Sequence, residues 1–170
     1  MPKAKTLQIA KAGLTSIVGS AGEYLVMGEL LRRGTLAGLA PRNAPGFDVL
    51  ASDGHRTVHV RVKTKLSGKN WQWNAQSGKW FAPVFRNRAR NDYSILVDLR
   101  QRDVASFFVV KTSKLEKWLQ ESHRRWLRRP GKRGQRHAAD NKKRILDEST
   151  ALKKIRRNNW GVLRLEFRIE

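Results

Sequence analysis

The run RTVHVRVKTK, residues 56–65, constrains the fold more than any other stretch of this sequence. Val58, Val60 and Val62 alternate with His59, Arg61 and Lys63. A period of two sends β-branched side chains to one face and polar ones to the other, the pattern of a strand buried on one side. Asp53-Gly54 lies between this run and a second β-prone run, residues 46–52, and an Asp-Gly in that position marks a hairpin. Closure through an even-numbered loop sets Asp48 opposite His59 and on one face with Arg61 and Lys63. The valines then face a core, and a carboxylate and a lysine converge on the other side.

Two readings of that convergence stay open. A carboxylate beside a lysine can hold Mg²⁺ on a phosphate while the lysine orients water or stabilises developing charge, the minimum for metal-assisted phosphodiester hydrolysis. The same spacing also describes a plain cross-strand ion pair. His59 reads as a hairpin-face residue, since neutral imidazole is an unusual donor to magnesium.

Around the hairpin, residues 15–33 place Ile17, Ala21, Leu25, Gly28 and Leu31 at a helical period, with Gly34 as a stop. The internal glycines weaken a helix by about 1 kcal/mol each against alanine, which close packing on a sheet would explain. Residues 66–92 read as loop. Strands are expected at 93–99 and 106–111, then a helix capped by Ser113 and ended near Arg129 by Pro130-Gly131. A further helix is expected over 140–157 and an edge strand over 160–169.

Composition narrows the chemistry. The 170 residues include 36 Lys plus Arg against 14 Asp plus Glu, a net charge of +22 and a pI near 11.4. Such one-signed charge points to a polyanionic partner, nucleic acid by default. No stretch approaches the roughly 20 apolar residues of a membrane span, and the N-terminus lacks a signal-peptide core, so a cytoplasmic protein with no membrane partner is expected. There is no cysteine, and the four histidines show no HxxxH spacing, so any metal would be a hard, oxygen-liganded one.

With these pieces in place, the sequence resembles the restriction-endonuclease-like PD-(D/E)XK superfamily. The resemblance rests on a helix with an internal acid, Glu23 in GEYLVMGEL, then Asp48 in APGFDVL, then HVRVKTK with Lys63. It covers roughly residues 15–112, and the basic tail SHRRWLRRPGKRGQRHAADNKKR resembles the extension beyond that core in small bacterial members. It implies an α/β fold, an αβββαβ core with a central mixed sheet of four to five strands flanked by helices and a basic helical C-terminal extension (113–170), all in one domain. It further implies that Asp48 binds Mg²⁺ or Mn²⁺, that Lys63 is the catalytic lysine and that Glu23 is an accessory acid. One position departs: the motif's Glu or Gln is Arg61 here. Arginine cannot ligate a metal, which leaves Asp48, Glu23 and the Val62 backbone carbonyl as ligands, held weakly, or leaves Arg61 to grip the phosphate itself. Glu23 also fits a capping box, Ser20-Ala21-Gly22-Glu23.

Contacts to nucleic acid are expected from two further segments. Trp71 and Trp73, interleaved with Lys69 and following Lys65, are placed to stack on bases, although one or more of Trp71, Trp73 and Trp80 can instead cover the sheet edge. Arg124, Arg125, Arg128, Arg129, Lys132, Arg133 and Arg136 read as a non-specific phosphate contact. Three functions fit these features: a metal-dependent DNA endonuclease or resolvase-like phosphodiesterase; a catalytically silent domain of the same fold that binds DNA or structured RNA; and a basic protein bound to ribosomal RNA. Leu163, Leu165 and Phe167 in the expected edge strand would offer a homodimer contact.

Overall fold

A computed structural model describes residues 11–41, 44, 46–86, 89–101, 103–131, 134–138 and 140–168. Helix α1 (Lys11–Arg32) leads into strands β1 (Leu36–Leu39), β2 (Val49–Ser52) and β3 (Thr57–Lys65), then β4 (Asn70–Asn74), β5 (Asp92–Asp98) and β6 (Ser106–Lys111). Helix α2 (Thr112–Arg128), strand β7 (Lys143–Asp147), helix α3 (Glu148–Lys154) and a 3-10 turn (Trp160–Leu163) complete the chain.

Five strands form one mixed sheet in the order β1-β2-β3-β5-β6, antiparallel throughout except for the central parallel pair β3–β5. One face carries Val58, Val60, Ile95 and Val109 and is covered by Val26 and Leu30 of α1 with Trp160 and Leu163 of the C-terminal turn. The other carries Leu96, Phe108 and Val110 and is covered by Leu115 and Leu119 of α2, Trp71, Leu146 and Ala151. Both faces of β5 are therefore dry, and all seven of its residues are buried, as a strand beside a parallel partner requires. The architecture is the helix-flanked mixed α/β sheet that the resemblance implies. Between the third and fourth strands of that sheet, however, stands β4, where the αβββαβ order has a helix, and α2 comes only after β6.

The hairpin forms around a four-residue loop, with Ser52 paired to Thr57 and Leu50 to His59. Asp53 builds the turn, its Oδ1 accepting from the amides of His55 (2.9 Å) and Arg56 (2.7 Å) and its Oδ2 from that of Glu166 (2.9 Å). Extending the register by one residue brings Asp48 opposite Arg61, two residues beyond the expected His59. A shift of two keeps Asp48 on the face that alternation assigns to His59, Arg61 and Lys63.

Other expectations fail for physical reasons. Residues 70–74 form β4 because β7 lies alongside, pairing Trp71 with Leu146 and Trp73 with Arg144. The helix expected over 140–157 is therefore a strand and a seven-residue helix, and Asp147 caps the latter by accepting from the Thr150 amide at 2.8 Å. Ser113 does not cap α2, whose N-cap position is Lys111. Residues 160–163 coil into a turn that buries Trp160 and Leu163, and no strand comes after it among the described residues. Leu165 is buried too, whereas Phe167 is half-buried, so the expected edge strand does not display Leu163 or Leu165 to a second copy.

Candidate active site

Glu23 and Asp48 line one cavity of about 610 Å³ together with Ser16, Gly19, Ser20, Ala40, Pro41, Ala44 and Phe47. Because α1 begins by Lys11, Ser20 is well inside the helix and Glu23 cannot close a capping box there. Its neighbour Gly22 sets the height of the helix above the sheet: a Cβ there would stand 1.9 Å from Thr64 Oγ1 of β3. No such contact exists at Gly19 or Gly28. Close approach at Gly22 brings Glu23 down beside the end of β2.

Asp48 is fixed from the strand side. Its amide donates to the Val60 carbonyl (2.8 Å) and its Oδ2 accepts from the Val62 amide (2.6 Å). A strand residue's N–H and C=O point to the same side, so the Val62 carbonyl is also directed to the edge where Asp48 stands. Phe47 stacks on His59 with centroids 4.7 Å apart and planes 12° off parallel, which locks the segment leading into Asp48.

Burial raises the Asp48 carboxyl above the ordinary carboxylate range, against the opposing effects of the Val62 amide and the Arg61 and Lys63 charges. Glu23 is raised as well, first by burial and then by the Asp48 charge. Two acids in one cavity, the charge of one raising the pKa of the other, with a backbone carbonyl beside them, form a hard oxygen donor set of the kind magnesium takes. Among the described residues no group of three His, Cys, Asp or Glu side chains converges in this way. The set is thus thin: two acids, with Lys63 half-buried on β3 and acting on Asp48 through space.

Arg61 is committed elsewhere. Its Nη2 donates to Asp92 Oδ2 (3.3 Å) and to the Arg86 carbonyl (3.2 Å), and its guanidinium lies over the Phe85 ring at 5.4 Å. Gly46, at φ +105°, makes room for it, since a Cβ there would sit 3.1 Å from Arg61 Nη2. Asp92 is buried and also contacts His59 Nδ1 at 3.1 Å and the Ala89 amide at 3.0 Å. Sequence reasoning misses Asp92, for which the only signal is an acid at the entrance to an apolar strand.

The expected nucleic-acid contacts divide. Lys65 is a correction: it is 6% exposed, 3.3 Å from Asp98, 4.0 Å from Glu148, and 3.7 Å from the centroid of the Trp71 ring. Trp71 is a second, buried at 1% exposure against Phe108. Both serve the core because β4 and β7 close over that face of the sheet. Trp73 is half-buried and meets Phe85 edge to face. Lys69, Arg124, Arg125, Arg128, Arg129 and Arg136 do not share in that burial and remain open to solvent, and Lys132 and Arg133 lie outside the described residues. No described helix is long and apolar enough to cross a membrane.

No family model and no curated protein matches the sequence. Among solved structures the chain is similar to the bacterial homing endonuclease I-Ssp6803I, at 16% identity and TM-score 0.45, over 62% of this chain and 74% of that one. It is also similar to Hjc, a Holliday junction resolvase of Archaeoglobus fulgidus, at 16% identity and TM-score 0.48, over 88% and 98% of the two chains. Residue roles do not transfer at such identities.

Proposed function

We propose that this protein is a metal-dependent DNA endonuclease or resolvase-like phosphodiesterase of the PD-(D/E)XK type. The observation that carries the reading is the shared cavity of Glu23 and Asp48, one strand away from Lys63. Asp48, Glu23 and the Val62 carbonyl would hold magnesium or manganese, which supplies Lewis acidity to a phosphate oxygen and makes bound water more acidic. Lys63 orients the attacking water and offsets charge on the phosphoryl oxygens. Water attacks phosphorus and gives up a proton to solvent, one P–O ester bond breaks, and the departing alkoxide takes a proton from solvent. The exposed arginines of α2 hold the DNA backbone.

A second reading is favoured by Arg61, which stands where the motif carries its second acid: the domain binds DNA and cuts nothing. Incubation of supercoiled, linear and branched DNA at low salt with Mg²⁺ or Mn²⁺, against EDTA, separates the two. The nuclease reading expects metal-dependent cleavage that is lost in Asp48→Ala and reduced at least about a hundredfold in Lys63→Ala. Salt-sensitive binding with no cleavage by the wild type would establish the silent domain.

A further inference from the structure

Segment 75–86, between β4 and β5, has more of its backbone held by buried side chains than a plain connection needs. Arg144, fully buried, donates to the carbonyls of Ser77 (3.2 Å) and Lys79 (2.7 Å). His123 Nε2 reaches the Gly78 carbonyl at 3.3 Å, and Gln120 donates to that of Phe81 at 3.2 Å. At the far end Glu116, also fully buried, accepts from the amides of Val84 and Phe85, and Arg61 takes the Arg86 carbonyl. Burying an arginine and a glutamate is costly unless their hydrogen bonds are met. Glu116 is met mainly by this loop, whereas Arg144 divides its bonds between the loop and the carbonyls of Asn141 and Lys143 and leaves Nε without a partner.

What that loop displays is aromatic. Trp80 is 41% and Phe81 55% exposed, their centroids 5.6 Å apart and their planes 88° off, and neither belongs to the packed clusters on either face of the sheet. Each ring has a cation on one side: Arg124 lies 5.0 Å from the Trp80 centroid and Lys79 5.9 Å from that of Phe81. Arg125 and Arg128 continue the positive surface along α2.

We infer that Trp80 and Phe81 form a stacking platform for an unpaired nucleobase, with Lys79 and Arg124 meeting the phosphates on either side. This rests on the nucleic-acid reading above and narrows its substrate to DNA with a single-stranded segment. Every base presents a π-face, so such a platform accepts any sequence. A preformed loop also loses little entropy when a base lands on it. Arg61 ties the loop to β3, so the residue that replaces the motif acid fixes the platform relative to Lys63.

The test uses the full chain in EDTA at fixed salt, with fluorescence anisotropy on a continuous duplex and on the same duplex interrupted by a short single-stranded gap containing 2-aminopurine. Wild type is expected to prefer the gapped DNA and to quench the 2-aminopurine. Trp80→Ala/Phe81→Ala loses at least about tenfold in affinity for gapped DNA, and the quenching, while duplex affinity stays within about twofold. Trp80→Tyr keeps most of the preference, and circular dichroism confirms that the variants fold. Equal wild-type affinity for both DNAs, or equal losses on both in the double variant, overturns the inference and leaves the nuclease reading standing. Wild type that binds neither DNA overturns both.

Discussion

The resemblance leaves Arg61 to grip the phosphate, whereas its partners in the fold are Asp92, the Arg86 carbonyl and the Phe85 ring. Alternation along β3 gives its face correctly. Its direction on that face depends on Asp92, 31 residues away, which no local pattern reveals. Asp48 is more legible, because alternation along the hairpin gives its face even though the register sets it opposite Arg61 and not His59. Its raised pKa makes a prediction about stability. The folded state resists ionisation of Asp48, so above the ordinary carboxylate range the charge costs stability. Asp48→Asn, which can still accept from the Val62 amide, should therefore raise the melting temperature at pH 8, by roughly 2–4 °C per kcal/mol recovered. The gain should vanish below about pH 4, where both side chains are neutral. Calorimetry across that range checks it, and an unchanged or lower melting temperature at pH 8 would count against a strained site.

Asp147 has the opposite sign. Burial alone would raise it, but hydrogen bonds from Ser149 and Thr150 hold its carboxyl down to about 2. Its stabilising effect is present above the unfolded value of about 4 and is lost as the pH falls towards 2. Asp147→Ala should cost about 0.5–2 kcal/mol at neutral pH, as for an N-cap, and little near pH 2 in acid titrations monitored by circular dichroism.

At the level of elements, α1 and the hairpin are readable because each carries its own period, and β5 and β6 because each is a short apolar run of strand length. The β4–β7 pair is not, since neither strand has a partner nearby in sequence and the tryptophans of 70–74 look the same whether they face solvent or a core. The glycine-rich character of α1 acquires its reason at one position, Gly22 against Thr64. Gly22→Ala should destabilise the protein by about 1–3 kcal/mol, as overpacking does, and lower cleavage by lifting Glu23 from the sheet. Adding Thr64→Ala should recover much of that loss, because the clash is mainly with the threonine hydroxyl. Denaturant titrations of the two single variants and the double variant measure the coupling, and strictly additive losses would contradict this packing.

Across the whole molecule, the sign and size of the net charge are available from composition, whereas its distribution is not. Lys65 and Arg144 are buried and structural, while Arg124, Arg125, Arg128 and Arg129 stay outside the core along the end of α2 and just beyond it. The fold therefore separates charges that hold the 75–86 segment and the core from charges left exposed to solvent. It also assembles the candidate site from three distant pieces, α1, the segment before β2, and β3, which appear in the sequence only as isolated acids and a lysine. If Glu23 and Asp48 share one divalent ion, as proposed, the rate of supercoiled-DNA nicking follows Mg²⁺ concentration through both residues. The expected result is saturable dependence on Mg²⁺, a half-saturating concentration several-fold higher in Glu23→Gln, and no nicking by Asp48→Asn at any concentration. Nicking that persists in EDTA, or a half-saturating concentration unchanged by Glu23→Gln, would contradict it.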